Sequence, residues 1–334
     1  MFLREPATRT LADVYTEWKS HDRSWNSDAC VPEVNFDQEV GAVPTVSLGD
    51  HEIALDEEAI GQLCAFYAIP RAFFGRLTNA EKHFVMNSRI EHTPGEITIE
   101  YNDKGITDVR KPSQPRLDVE QFVRIAHRIF PSSAVVLDDW FTPDDLRLDV
   151  LHQLPTIGLG GPVYGGVRFA QNRKQNLAPT VHPILFHEDT TTVIQIPDWS
   201  LKIDARGVST EKIAERLEAE ALRAEARVTN DAAHLLDLHH TSIAGDRITR
   251  LHRIAAEHGL PVRPLADVTV ALSRNDEPTM LDLVLAIANA ANAPKLLGDP
   301  AKRTVRTKLQ AIAGAVVTDE AERCKSCHAL VSAA

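Results

Sequence analysis

Gly158 to Asp204 reads GLGGPVYGGVRFAQNRKQNLAPTVHPILFHEDTTTVIQIPDWSLKID, and the reading of this stretch decides the fold. Five glycines cluster at its start (Gly158, Gly160, Gly161, Gly165, Gly166), which favours tight turns and close backbone approach. Three short runs with strand character follow: Val167 to Ala170, His182 to Phe186, and the β-branched Thr190 to Ile196. This pattern predicts a β-meander with a basic tip, because Arg168, Arg173 and Lys174 fall in or beside its first turn. Before the meander the chain reads as strands with a few helices against them; after it, as mostly helix. The expected class is α+β, with a largely antiparallel sheet and packed helices in the first two-thirds and a helical C-terminal third.

Upstream, Val46 to Leu55 reads as a hairpin turning at Gly49 and Asp50. Asp56 is then an N-cap, Glu57 and Glu58 suit the positive end of a helix, and Ala59, Ile60, Leu63 and Phe66 recur at helical spacing. Pro70 stops that helix, and Arg71 to Leu77 makes a second, short one. Strands are expected at Phe84 to Ile90, Glu96 to Tyr101 and Ile106 to Val109, a helix at Leu117 to Phe130, and strands at Ser133 to Trp140 and Leu146 to Leu154. Downstream, helices are expected from Ser209 to about Val228, then at Asp231 to Leu238, Ala244 to His258, Thr279 to Asn292 and Lys302 to Val316. The division that follows is an N-terminal arm (1–45), an α+β core (46–206), a helical region packed on it (207–320) and a CxxCH tail (321–334).

With 43% hydrophobic residues the chain can bury a real core. It has no apolar run long enough to span a bilayer, and its start, MFLREPATRT, lacks the apolar region of a signal peptide, so the expected location is cytoplasmic. Four cysteines, only two of them close together, do not make a disulfide framework. A net charge of −11 argues against coating duplex DNA with the whole surface but leaves room for a local basic groove.

The sharpest local motif is Cys324-Lys-Ser-Cys327-His328. Two thiolates at this spacing can chelate zinc with His328 as a third ligand, but a structural site wants four, and Cys30, Cys64, His239 and His240 are the recruits. A redox pair and an ordinary chain end are the other readings. His182 and His187 beside Glu188 and Asp189 invite a catalytic metal, yet five residues apart on a strand they face opposite ways. Asp138-Asp139 and Asp144-Asp145 can be paired carboxylates or plain turn residues. No nucleophile or phosphate-loop signature accompanies the glycines. The densest positive groups are Arg168, Arg173 and Lys174 in the meander and Lys302, Arg303, Arg306 and Lys308 at the last helix. With Tyr164 and Phe169 nearby, such groups can track a nucleic-acid backbone and stack bases.

Several segments resemble one family in order and spacing: LGDHEIALDEEAIGQLCAFYAIPRAFFGRL, EITIEYNDKGITDVR, YGGVRFAQNRKQNLAPTVHPILF, and PTMLDLVLAIANAA followed by a helix and CKSCHALV. The chain is similar here, over about Val46 to Leu330, to the phage/plasmid-like family, a domain of unknown function. It departs where that family often carries a Cys-Asn-Gly-like segment and this chain has Ile196-Pro197-Asp198. The resemblance implies a phage or mobile-element setting and no particular reaction. Together these features predict a non-catalytic protein that binds nucleic acid, single-stranded DNA in replication or recombination. The alternative is an acidic interaction or regulatory module acting on a host or phage DNA-binding protein. A homo-oligomer is compatible with both.

Overall fold

The computed structural model describes residues 9–20, 26–36, 43–48, 51–102, 105–111, 117, 119–141, 145–152, 154–172, 179–196, 210–243, 246–293, 296 and 302–332. The chain begins with β1 (Arg9–Thr10), α1 (Leu11–Ser20), β2 (Asn26–Cys30) and β3 (Glu33–Asn35). Next come β4 (Thr45–Leu48), β5 (His51–Ala54), α2 (Glu57–Phe66), α3 (Arg71–Phe74), α4 (Asn79–His92), β6 (Ile97–Asn102) and β7 (Gly105–Arg110). The β4–β5 hairpin closes Leu48 against His51, as the turn pair between them predicts. The α2 helix starts where Asp56 accepts a bond from the Ala59 N–H at 2.7 Å, and it stops as Ala68 turns left-handed at φ 54° ahead of Pro70. Two small antiparallel sheets, β2-β6-β7 and β3-β4-β5, enclose one core with α2 and α4: Val34, Val46, Leu63, Phe74, Met86, Ile90 and Ile99.

One expectation fails here. Phe84 to Ile90 is not a strand but the body of α4, opened by a capping box in which the Thr78 hydroxyl and the Glu81 carboxylate exchange bonds with each other's backbone N–H. Met86 and Ile90, four apart, go into the core, while Phe84 points out.

The centre of the chain runs α5 (Val119–Ile129), β8 (Val135–Phe141), β9 (Asp145–Leu151), β10 (Thr156–Gly158), β11 (Gly161–Asn172), β12 (Thr180–His187) and β13 (Thr192–Gln195). These strands form an antiparallel sheet in the order β1-β8-β9-β11-β12-β13, with β10 lying along β11 beyond the end of β9. The meander is therefore present, with a first strand much longer than its apolar run. Gly166 sits where β9 presses closest: a Cβ there would lie 2.4 Å from the Val150 carbonyl oxygen. The described residues of the expected N-terminal arm are not free, because β1, β2 and β3 each join a different one of the three sheets.

The C-terminal third is helical: α6 (Thr210–Asp237), a 3-10 turn at Leu238–His240, α7 (Arg247–His258), α8 (Val262–Ser273), α9 (Met280–Ala290) and α10 (Arg303–Ser332). The two helices expected between residues 209 and 238 are one. Ile213, Leu217, Ala221, Ala224, Val228, Ala232 and Leu235 recur every three or four residues, and this stripe lies buried on β11 and β12. Its first half shares a core with α1, α5 and the inner face of the sheet (Leu146, Leu148, Val150, Val167, Phe169, Val181). Its second half shares another with α7 to α10, where Leu283, Val284 and Ile287 of the apolar α9 meet Ile194 and Ile196. The unexpected helix α8 begins right after Pro261 and holds Pro264 in its first turn, where a missing N–H costs nothing. α10 runs through the expected CxxCH tail to Ser332.

Candidate nucleic-acid interface

The outer face of the large sheet is built by alternation. In β9, Leu146, Leu148 and Val150 face inward, which turns Arg147 and Asp149 outward. Register then sets Asp138 (β8) and Arg168 (β11) on either side of Asp149, His182 (β12) beside Arg168, and Trp140 (β8) beside Arg147. The start of α10 lies over this polar patch and buries it.

Asp149 is fully buried and receives two guanidinium forks. Arg168 donates Nε to Oδ1 and Nη2 to Oδ2, both at 2.7 Å; Arg147 donates Nε to Oδ1 at 3.2 Å and Nη2 to Oδ2 at 2.8 Å. Burial by itself would raise the Asp149 carboxyl, but the charges and hydrogen bonds of the two arginines outweigh it and hold the group well below the usual carboxylate range. Arg168 also donates to Gln195 Oε1 at 2.6 Å, and Arg147 to Thr307 Oγ1 at 3.2 Å, which ties sheet to helix. Asp138 lies 3.6 Å from Arg147 and 3.7 Å from Arg306. His182 is kept neutral beside this cluster: burial first, then Arg168, lower it to about 4.

This geometry takes the expected basic surface apart. Arg168 is 1% exposed and Phe169 is buried on the opposite face, so neither reaches solvent; Arg168 lies mid-strand rather than at the meander tip. Tyr164 is half-buried and donates to Glu188 at 3.3 Å. Lys308 points across to the C-cap of α7, its Nζ 3.5 Å from where a Gly259 Cβ would stand. Arg173 and Lys174 lie outside the described residues, as does the side chain of Arg303. What remains is Lys302, exposed just before α10, and, four residues on, Arg306, which lies 3.7 Å from Asp138. The half-buried Trp140 stands opposite Arg147 in the register, and Arg147 in turn donates to Thr307 of α10.

The catalytic alternatives also separate. Asp138 faces out to the arginines, whereas Asp139 faces in and takes both oxygens of its carboxylate to Arg9, so they are no dyad. His182 and His187 lie on opposite faces; His187 donates to the Gly160 carbonyl and accepts from Thr190, pinning the glycine hairpin. Among the described residues no group of three His, Cys, Asp or Glu can hold a metal ion. Cys64 is buried in the N-terminal core, where burial pushes its thiol up. Cys324, Cys327 and His328 lie on α10, and their side chains are outside the described residues.

Sequence reading missed the Arg147–Asp149 pair and Trp140. The alternation of Asp145–Leu151 (DLRLDVL) was the available signal. No family model, curated protein or solved structure matches the chain.

Proposed function

We propose that this chain is a non-catalytic protein that binds single-stranded nucleic acid at the edge of its large sheet. The observation that carries the reading is that Arg306 of α10 lies 3.7 Å from Asp138, two residues along β8 from the half-buried Trp140, with the exposed Lys302 four residues before Arg306, in a chain whose net charge is −11. Beyond Val136, β8 has no outer neighbour among the described strands. An aromatic ring gives a sequence-tolerant stacking platform, and flanking cations hold the phosphates. The resemblance to the phage/plasmid-like family supports a mobile-element setting, with replication or recombination as the context.

Fluorescence anisotropy with labelled single strands at low and moderate salt tests it. Binding at micromolar protein, weakened about tenfold by Trp140→Ala and with a salt slope reduced by about one in Lys302→Ala, is the expected result. No binding, or binding indifferent to salt and to both substitutions, overturns it.

The second reading, an acidic interaction module for a DNA-binding protein, is favoured by the net charge and by the exposed aliphatic side chains of Leu154, Ile157 and Leu159. A pull-down that recovers no specific protein counts against it.

A further inference from the structure

The β10 strand is a short edge with an unusual surface. Leu154 is 89% exposed, and Ile157 and Leu159 are each 76% exposed, whereas large apolar side chains on a soluble surface normally occur singly. Among the described strands β10 pairs only with β11, matching Thr156 to Val163, Ile157 to Pro162 and Gly158 to Gly161.

Pro162 fixes which way the backbone of β10 faces. It has no N–H, and its carbonyl accepts from Glu188 N at 3.0 Å, on the β12 side of β11. Pro162 therefore turns its polar group away from β10. In an antiparallel ladder the residue opposite such a position turns its own N–H and C=O outward. Ile157 accordingly presents one donor and one acceptor to the open edge.

The side chains follow the same alternation. Gly158 backs onto α6, since a Cβ there would lie 3.2 Å from Leu236 Cδ1. Ile157 thus lies on the other face, shared by register with Pro162 and Tyr164. Inward from the edge, that face continues as the partly buried Tyr164, Phe186, Val135 and Leu137 around Leu151, Ile184 and Val193.

We propose that β10 is a self-association edge, and that its occupant is β10 of a second copy of this chain, paired antiparallel about a two-fold axis through Ile157. In that arrangement the two Ile157 residues exchange both backbone bonds, and Pro155 of each copy faces Leu159 of the other, so the cross-strand set is apolar throughout. Charge points the same way. From Leu154 to Val167 there is no Lys, Arg, Asp or Glu, so two molecules of net charge −11 can approach here without opposing like charges. Leu154, Ile157 and Leu159 together expose on the order of 500 Å², the size of the largest apolar patch on a typical monomer, which is often a functional surface. Two copies would bury about 1,000 Å², the low end for a specific interface, which fits a reversible dimer. This inference does not depend on the nucleic-acid reading.

Sedimentation velocity of the full chain across the micromolar range is the test, with Ile157→Lys and Ile157→Pro beside the wild type. Lysine puts a charge at the two-fold axis. Proline removes only an N–H that points away from β11, so the β10–β11 ladder is spared. The expected result is a concentration-dependent dimer whose dissociation constant rises at least tenfold in both variants, with thermal melting unchanged, and unchanged self-association in Phe84→Lys, a substitution at an exposed ring outside the large sheet. A wild-type chain that stays monomeric, a dimer that both Ile157 variants leave intact, or a monomer that instead captures a different protein through this hairpin overturns the proposal.

Discussion

Asn87 of α4 pairs with the backbone of Val34 as another strand would: Val34 N–H donates to Asn87 Oδ1 at 3.1 Å, and the Asn87 amide donates to Val34 O at 2.7 Å. β3 is the edge of its sheet, and these are the groups that would otherwise face outward. One side chain thus closes the end of a ladder that could recruit another chain. Asn87→Leu should lower stability by about 1–3 kcal/mol, because both Val34 groups lose their partner. Urea midpoints measure the cost, and light scattering should show faster aggregation in the variant; an unchanged midpoint would deny Asn87 this role.

Asp149 accepts a guanidinium fork from each of Arg147 and Arg168. In Asp149→Asn the buried Arg168 loses its counter-charge and Arg147 keeps only Asp138, at an expected cost of about 3–5 kcal/mol. Replacing all three residues together by Met and Leu should cost less than that single change, since no charge is then left unpaired in the interior. Chemical denaturation of the two variants compares them directly.

Stability should fall with acid above the range of ordinary carboxylates. His152 stacks on Phe130 with ring centroids 4.5 Å apart, and burial lowers it to about 4, as it does His182. Both groups bind a proton in the unfolded chain near the ordinary pKa of about 6.5, and in the folded one only near 4. The stability they contribute is therefore whole above that upper value and is lost as pH falls through the window between the two. Glu225, 3.3 Å from His152 and pushed up by burial, acts in the opposite sense at the lower end. Urea midpoints from about pH 7 to about pH 4.5 should fall steadily, and less so in His152→Gln.

Gly314 lies mid-helix in α10, where alanine is normally better by about 1 kcal/mol. Here a Cβ would come 1.9 Å from the Gln195 carbonyl oxygen and 3.0 Å from Ile196 Cα. Crowding against backbone outweighs propensity, so Gly314→Ala should destabilise by about 1–3 kcal/mol. A more stable alanine variant would mean that α10 does not dock on β13 in solution.

In the large sheet β8, β9, β11, β12 and β13 were legible because apolar and β-branched residues run through them, whereas β1 and β10 were not expected; α2, α5 and α9 were legible from apolar spacing, α2 also from its Asp56 cap. The body of α4 was not: Phe84, Val85 and Met86 in a row outweighed the Thr78–Glu81 box, a four-residue signal. Asn26–Cys30 (NSDAC) has no strand pattern of its own and is a strand only because β6 lies beside it. The candidate site was misplaced for a physical reason. The alternation of β9 and β11 marks Arg147, Asp149 and Arg168 as facing away from the apolar core, and such a face is normally wet. Nothing local says that a helix more than 130 residues downstream of Arg168 will cover it, or that Arg168 finds its counter-ion 19 residues back.

Arg9 and Asp139 meet across 130 positions of chain. On a ribosome the first strand is thus made long before β8, the strand it pairs with, has left the exit tunnel, and β2 likewise waits for β6. Residues made before their partners are among the last able to settle, since distant pairings must first close long loops. Throughout that interval the apolar side chains of Leu11 and Val14 are without their eventual cover from α5, and the nascent chain has to be kept from sticking to its neighbours.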